Sequence, residues 1–285
     1  MLTFETRGRA HMVSSNTALF RAAALSLPLI FLGSHSALSQ DAKPSDNQWI
    51  ITLGGSVEYG PSYEGSKHLS FSGMPSFDFR RFGEAPEYSA PDDNIDYGLF
   101  DIGGVDIGPV VGLRGGRSAF DDSELQGLHS VQWNLDAGVF AQYWPIEDRL
   151  RVRAETRQAL WGGDGLLADL YLDWFQPVGD RWLLSAGPRL SLANGASMRN
   201  NFAVSAEEAA KSGRVEAFDA NGGVKSIGFT VAATYTFSPA WSVQIYDKYN
   251  RLVGDAATSP ITSKLGSADQ NVIGIMLSRS FQIGF

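Results

Sequence analysis

The chain has 285 residues, no cysteine, 31 glycines, 12% aromatic and 19% charged residues, and a formal charge of −8. The lack of cysteine excludes disulfides and thiolate metal sites, and an acidic chain offers a nucleic-acid backbone no attraction. The length suits one large β domain or two smaller ones.

At the N-terminus, Arg7, Arg9 and Arg21 precede the apolar run "AAALSLPLIFLG", which gives way to "SHSALSQDA". A basic region, a short apolar run and small residues before a cut are the marks of an export signal. The expected signal peptide is residues 1–39, cleaved after Ser39, with Ala37 and Ser39 as the small residues; Met12 offers an alternative start. The apolar run has about half of the ~20 residues that a spanning helix needs. Cleavage takes away three of the 23 basic residues and one of the 31 acidic ones, leaving a charge of −10. Residues 40–48 then form a periplasmic segment before the first strand.

From Trp49 onward the side chains alternate with a period of two, the period of a strand. "WIITLGGSVEY" places Trp49, Ile51, Leu53, Val57 and Tyr59 on one face, and Thr52, Ser56 and Glu58 on the other. "SVQWNLDAGVFAQYW" sets Val131, Trp133, Leu135, Ala137, Val139, Ala141 and Tyr143 against Gln132, Asn134, Asp136 and Gln142. In "DRLRVRAETRQAL", Arg149, Arg151, Arg153, Glu155 and Arg157 alternate with Leu150, Val152, Ala154 and Thr156. "LLADLYLDWF", "RWLLSAGPRLSL" and "SIGFTVAATYTF" repeat the pattern, with Asp169, Asp173 and Arg189 on the polar faces.

A soluble sandwich shares this period, but three features favour a membrane barrel. The runs are ten to fifteen residues long, whereas soluble strands have a mode near ~5–6 and tilted membrane strands need about 9–11. Aromatic residues gather at the ends of the apolar faces, as in interfacial girdles. The chain also stops on a strand, "IGIMLSRSFQIGF", in which Leu277, Phe281, Ile283 and the terminal Phe285 share one parity, interrupted by Arg279. That row has the form of the C-terminal signal read by the barrel-assembly machinery during insertion.

The expected fold is therefore an all-β, transmembrane, antiparallel up-and-down β-barrel preceded by a cleavable signal peptide, with outer-membrane lipid around it. Short turns at 145–149, 177–181 and 238–241 are assigned to the periplasm, where such barrels keep their short connections. Ten strands result: 49–59, 70–82, 105–115, 129–143, 148–159, 165–176, 181–193, 224–237, 241–252 and 271–285. "NIDYGLFDI" (95–102) also reads as a strand; it needs a companion to keep the turns inside, and 198–205 is the candidate. Twelve strands is the alternative.

A barrel of this size is narrow. Its expected lumen carries Arg80, Arg114, Arg149, Arg151, Arg153, Arg157 and Arg189 together with Glu58, Asp78, Asp136, Glu155, Asp169 and Asp173. Interleaved opposite charges form ion pairs that plug such a space, because an unpaired charge in a poorly hydrated lumen is costly. A narrow selective channel for small solutes is the alternative. No catalytic residue, metal or cofactor is expected. His68 and His129 are read as exposed loop polarity rather than as the base of a serine site with Ser66, Ser70 or Ser130. The acidic pairs Asp92–Asp93 and Asp121–Asp122 are read as solvated loop rather than cation ligands.

"GPSYEGS" (60–66), "FAVSAEEAAKSG" (202–213), "FDANGGVKSIG" (218–228) and "RLVGDAATSPITSKLGSADQ" (251–270) resemble the MltA-interacting protein/OmpV family of outer-membrane proteins, in family order across most of the chain after the expected leader. In "VSAEEAAKSG", Ser205 and Glu208 form a capping box and Gly213 ends a short helix; "GDAATSP" reads as a turn set by Gly254 and Pro260. The resemblance implies location in the outer membrane of a Gram-negative cell. It also implies a non-enzymatic scaffold that docks a lytic transglycosylase and a murein synthase during peptidoglycan remodelling. Adhesion and envelope-stress roles are further possibilities within the family.

Overall fold

The computed structural model describes residues 9–11, 48–84 and 86–284. The expected cleavage site, the 40–47 segment and Phe285 lie outside them. Along the chain come β1 (Arg9–His11), β2 (Gln48–Pro61), β3 (Leu69–Arg81), β4 (Ile95–Gly98), β5 (Phe100–Ile102), β6 (Val105–Arg114) and β7 (Asn134–Ile146). β8 (Leu150–Trp161), β9 (Leu166–Val178) and β10 (Trp182–Ala193) follow, then helices α1 (Gly195–Phe202) and α2 (Ala206–Ser212). The chain closes with β11 (Gly223–Ser238), β12 (Trp241–Leu252), α3 (Gly254–Thr258), α4 (Pro260–Ser263) and β13 (Asp269–Gly284).

All ten long strands expected from the period of two are present. Each pairs antiparallel with its neighbour in the order β3-β2-β13-β12-β11-β10-β9-β8-β7-β6, so the last strand zips onto the first long one. The segment 95–102 is a broken strand, β4 and β5, turned onto β6 through Gly103 and Gly104, whose φ values of 66° and 86° suit glycine.

The proposed companion is not a strand: 195–202 is helix α1, its first turn capped by the Asn194 side chain. Strand parity explains what stands there instead. Eleven positions of strictly antiparallel pairing leave β3 and β4 running the same way, so closure needs one strand of opposite sense between them. β1 occupies that place, pairing Ala10 with Phe79 on one side and Arg9–His11 with Asp96–Gly98 on the other. β1 falls inside the expected leader, so cleavage after Ser39 would remove it and leave the β3 and β4 edges without that partner. The rings of Phe79 and Tyr97 stack across the same seam at 5.7 Å.

The barrel is inside out relative to a soluble protein. Leu53, Val57, Val139, Val152, Leu170, Leu172, Ile227, Val231, Ile245, Ile273 and Leu277 all point outward and are exposed. Along β8, Arg151, Arg153, Glu155 and Arg157 are buried while Val152 is exposed. Aromatic pairs ring both rims: Tyr59–Phe71 and Trp133–Trp161 at the outer end, Trp49–Phe79, Trp182–Tyr235 and Phe237–Trp241 at the inner end. Amphipathic rings favour that depth. Arg279, the odd member of the C-terminal row, lies over the rings of Trp241 and Phe281 at 5.1 and 4.7 Å, which lets a cation sit at the interface. Among the described residues no helix is long and apolar enough to cross a membrane.

Candidate functional site

The lumen is closed by chain as well as by side chains. β3 ends at the periplasmic rim, yet β4 begins beside Val111, near the outer end of β6. Residues 86–94 therefore climb through the barrel. The climbing stretch carries "PEYSAPDDNID", and its acidic groups meet the arginine rows of the wall.

Asp92 receives two hydrogen bonds from Arg189, at 2.7 and 2.9 Å, and one from the Thr230 hydroxyl at 3.0 Å. Asp93 is gripped by Arg151 at 2.6 and 2.7 Å, and Asp96 by Arg153 at 2.5 Å. Asn94 donates to Glu155 at 2.7 Å, and Glu87 accepts from Gln142 at 2.5 Å and from the Trp144 indole at 3.2 Å. Paired forks of this kind are among the stronger hydrogen bonds available to a protein. The approach is close: a Cβ at Gly112 would lie 2.4 Å from Arg157 Nη1 and 2.6 Å from Asn94 Oδ1, so any larger residue must push the ends of both side chains aside.

The wall residues complete the network. Asp173 bridges Arg151 at 2.8 Å and Arg189 at 2.7 Å; Glu155 bridges Arg153 and Arg157 at 2.7 and 3.4 Å. Asp169 pairs with Arg157, Arg114 with Asp136 at 2.7 Å, and Lys248 with Glu58 at 2.6 Å. Rings inside the lumen back the cations, with Arg153 4.4 Å from Phe140, Arg189 5.1 Å from Tyr171 and Arg151 5.4 Å from Phe175.

Of the expected ion cluster, Arg151, Arg153, Glu155, Arg157, Asp169, Asp173 and Arg189 thus come together. Arg80 and Arg149 lie at the periplasmic end instead. Arg80 lines the lower cavity with Asp78, and Arg149 is half-buried in the turn before β8. The solvated-loop reading of Asp92–Asp93 is overturned, since both are buried and bonded. An acidic pair in a stretch without strand period looks the same in sequence whether it meets water or guanidinium, so no local signal marked it.

Cavities of about 130 Å³ and about 430 Å³ lie on the outer and periplasmic sides of this segment. Asp92 borders the first and Glu87 the second, so the segment separates them.

The outer mouth has its own core. The four quoted loop motifs converge there, with Tyr63, Leu125, Val204, Val215, Ile261 and Leu265 in one buried cluster and Met198, Phe202, Leu252 and Ala256 in another. The capping box of Ser205 and Glu208 is present, and Gly213 closes α2 at φ 61°. "GDAATSP" is more ordered than a single turn, forming α3 and the start of α4. Ser259 ties the two halves of the cap by donating to the Phe202 carbonyl at 2.6 Å. Arg117, which sequence reading passed over, is buried under the cap; burial pushes its pKa down to about 10, and it donates to the Asn201 carbonyl.

His129 places Nδ1 2.6 Å from Glu208 and Nε2 2.9 Å from the Asn200 carbonyl. With both nitrogens engaged, neither is left to accept a serine proton. Asp121 accepts from Ser118, while Asp122 is buried rather than solvated.

No curated protein matches the chain. Among solved structures it is similar to an outer-membrane channel of Pseudomonas putida F1, with a TM-score of 0.40, 11% identity, and coverage of 86% of this chain and 100% of that one. It is also similar to OmpT of Vibrio cholerae, at TM-score 0.35 and 8% identity over 83% of this chain and 99% of that one. The toluene transporter TodX of Pseudomonas putida aligns at TM-score 0.32 and 11% identity, over 85% and 90%. The lipid-facing belt, the two aromatic girdles and the polar lumen make this protein an outer-membrane β-barrel of a Gram-negative cell. A family model matches residues 53–281, and the chain belongs to that family, described as MltA-interacting protein MipA.

Proposed function

We propose that this protein is a closed, non-enzymatic barrel that serves as an outer-membrane docking scaffold for peptidoglycan-remodelling enzymes. The supporting observation is the lumen-crossing segment 86–94, held by the bidentate Asp92–Arg189 and Asp93–Arg151 pairs. A barrel filled this way and capped outside offers its surfaces rather than its interior. The family description names an interaction with MltA, a transglycosylase, and that partner class is carried to this chain as part of the proposal. The test is crosslinking from the periplasmic turns, with photoreactive residues at Glu147 and Asp180, in intact envelopes. A lytic transglycosylase or murein synthase among the adducts is expected; adducts with lipid and assembly factors alone would overturn the docking role.

The two cavities favour a second reading, a selective channel in which segment 86–94 is a displaceable plug. In planar bilayers the closed scaffold stays silent. Discrete conductance from the wild-type protein, enlarged by Asp92→Asn with Asp93→Asn, would establish the channel instead.

A further inference from the structure

The cap also brings together three metal-ligating groups from two loops. His68 ends the loop that leaves β2, and Asp122 and Glu124 flank the start of a single helical turn, Ser123–Leu125. One ligand atom from each of the three lies within 4.8 Å of the others. A point can therefore lie within about 2.8 Å of all three, against about 2.0–2.2 Å for zinc bonds to nitrogen and oxygen. Closing onto an ion takes shifts of less than ~1 Å.

A second observation points to a cation. Asp122 is only 7% exposed, and its Oδ1 caps the turn by accepting from the Glu124 N–H at 2.9 Å. Its Oδ2 is buried with no hydrogen-bond partner, and faces His68 Nε2 at 3.6 Å, beyond hydrogen-bond reach. A buried carboxylate oxygen left in that state is costly. Glu124 is held meanwhile by Lys67 at 2.8 Å, a half-exposed pair of little strength.

We propose that His68, Asp122 and Glu124 bind one divalent transition-metal ion of the zinc type, with water completing the coordination. Imidazole among the ligands favours zinc and its neighbours, since calcium and magnesium take oxygen. The ion ties the 62–68 loop to the 118–125 loop, which give Tyr63 and Leu125 to the cap core. This site is independent of the docking and channel readings and stands or falls separately.

The experiment is calorimetric titration of the full-length, tag-free protein in detergent with zinc sulfate, alongside calcium and magnesium chloride. One zinc per chain is expected, with at least tenfold weaker binding in His68→Ala and in Asp122→Asn, and unchanged or tighter binding in Lys67→Met. His68 is half-exposed, so His68→Ala retains the fold, and heat-modifiable electrophoresis checks this for every variant; where Asp122→Asn does not fold, His68→Ala decides. Zinc should also protect the 118–125 loop from protease in the wild type but not in His68→Ala. Absence of zinc binding, equal binding in His68→Ala, or a preference for calcium would each overturn the site.

Discussion

Asp93 grips Arg151 through two hydrogen bonds of 2.6 and 2.7 Å, and 58 positions of chain separate the two residues. Arg151 stands on the wall, in the middle of an alternating strand. Asp93 stands on a stretch that has left the wall. Their contact turns a hollow barrel into a filled one.

Breaking that contact should be expensive even though Arg151 keeps Asp173 at 2.8 Å. Removing one partner leaves a buried charge undercompensated, and such losses run at about 3–5 kcal/mol. Asp93→Ala is expected to lower barrel stability by about 3 kcal/mol, the lower end because Asp173 remains. Equilibrium unfolding in lipid vesicles measures it, and a change under 1 kcal/mol would contradict a structural role for the pair.

Gly112→Ala tests the plug without removing a charge. A methyl group there collides with both Arg157 and Asn94. Gly112→Ala should assemble normally, because β6 keeps its ladder to β7, but should loosen residues 86–94. Faster cleavage in that segment by a protease added from the periplasmic side is the expected readout. Unchanged cleavage would mean that the wall gives way rather than the plug.

Leu170 is exposed on the lipid face of β9 and pairs with Ala154 and Leu190. Leu170→Arg places a cation in hydrocarbon and should cost roughly 2–4 kcal/mol near the midplane. The same change at Gln158, near the outer rim, should cost ~1 kcal/mol or less. Equal costs at the two positions would misplace the membrane.

The cap should respond to acid through Glu208. Burial pushes its carboxyl up, but hydrogen bonds from the Ser205 backbone and hydroxyl and from His129 outweigh this and hold it at about 2, below its ordinary 4.5. A lowered folded-state value means that the contribution is complete above about 4.5 and is lost as the pH falls from 4.5 towards 2. Protease sensitivity of residues 205–213 should therefore rise across that window, and Glu208→Gln should flatten the response. A rise of equal size in Glu208→Gln would assign the effect to other groups.

Much of this molecule is written locally. The ten long strands, the short periplasmic turns, the capping box at Ser205 and the outward parity of Leu277, Phe281 and Ile283 all follow from spacing along a few residues. Two failures share one origin. The twelve-strand alternative took 198–205 as the companion that strand parity demanded for 95–102, where helix α1 stands instead, and that companion is set by barrel closure rather than by local pattern. Asp92 and Asp93 looked like loop acids because nothing adjacent in sequence records the arginines of β8 and β10.

The period of two determined which side chains share a face, since a strand cannot turn one residue without turning the next, and strand length with the aromatic ends gave the apolar face to lipid. Only the tertiary structure decided what fills the enclosed space. Residues 86–94 fill the barrel because guanidinium rows in a narrow lumen need carboxylates, and Asp92 and Asp93 bring them on a segment that the ladder does not use. That choice is a long-range electrostatic match between groups far apart in the chain, and no window of neighbouring residues carries it.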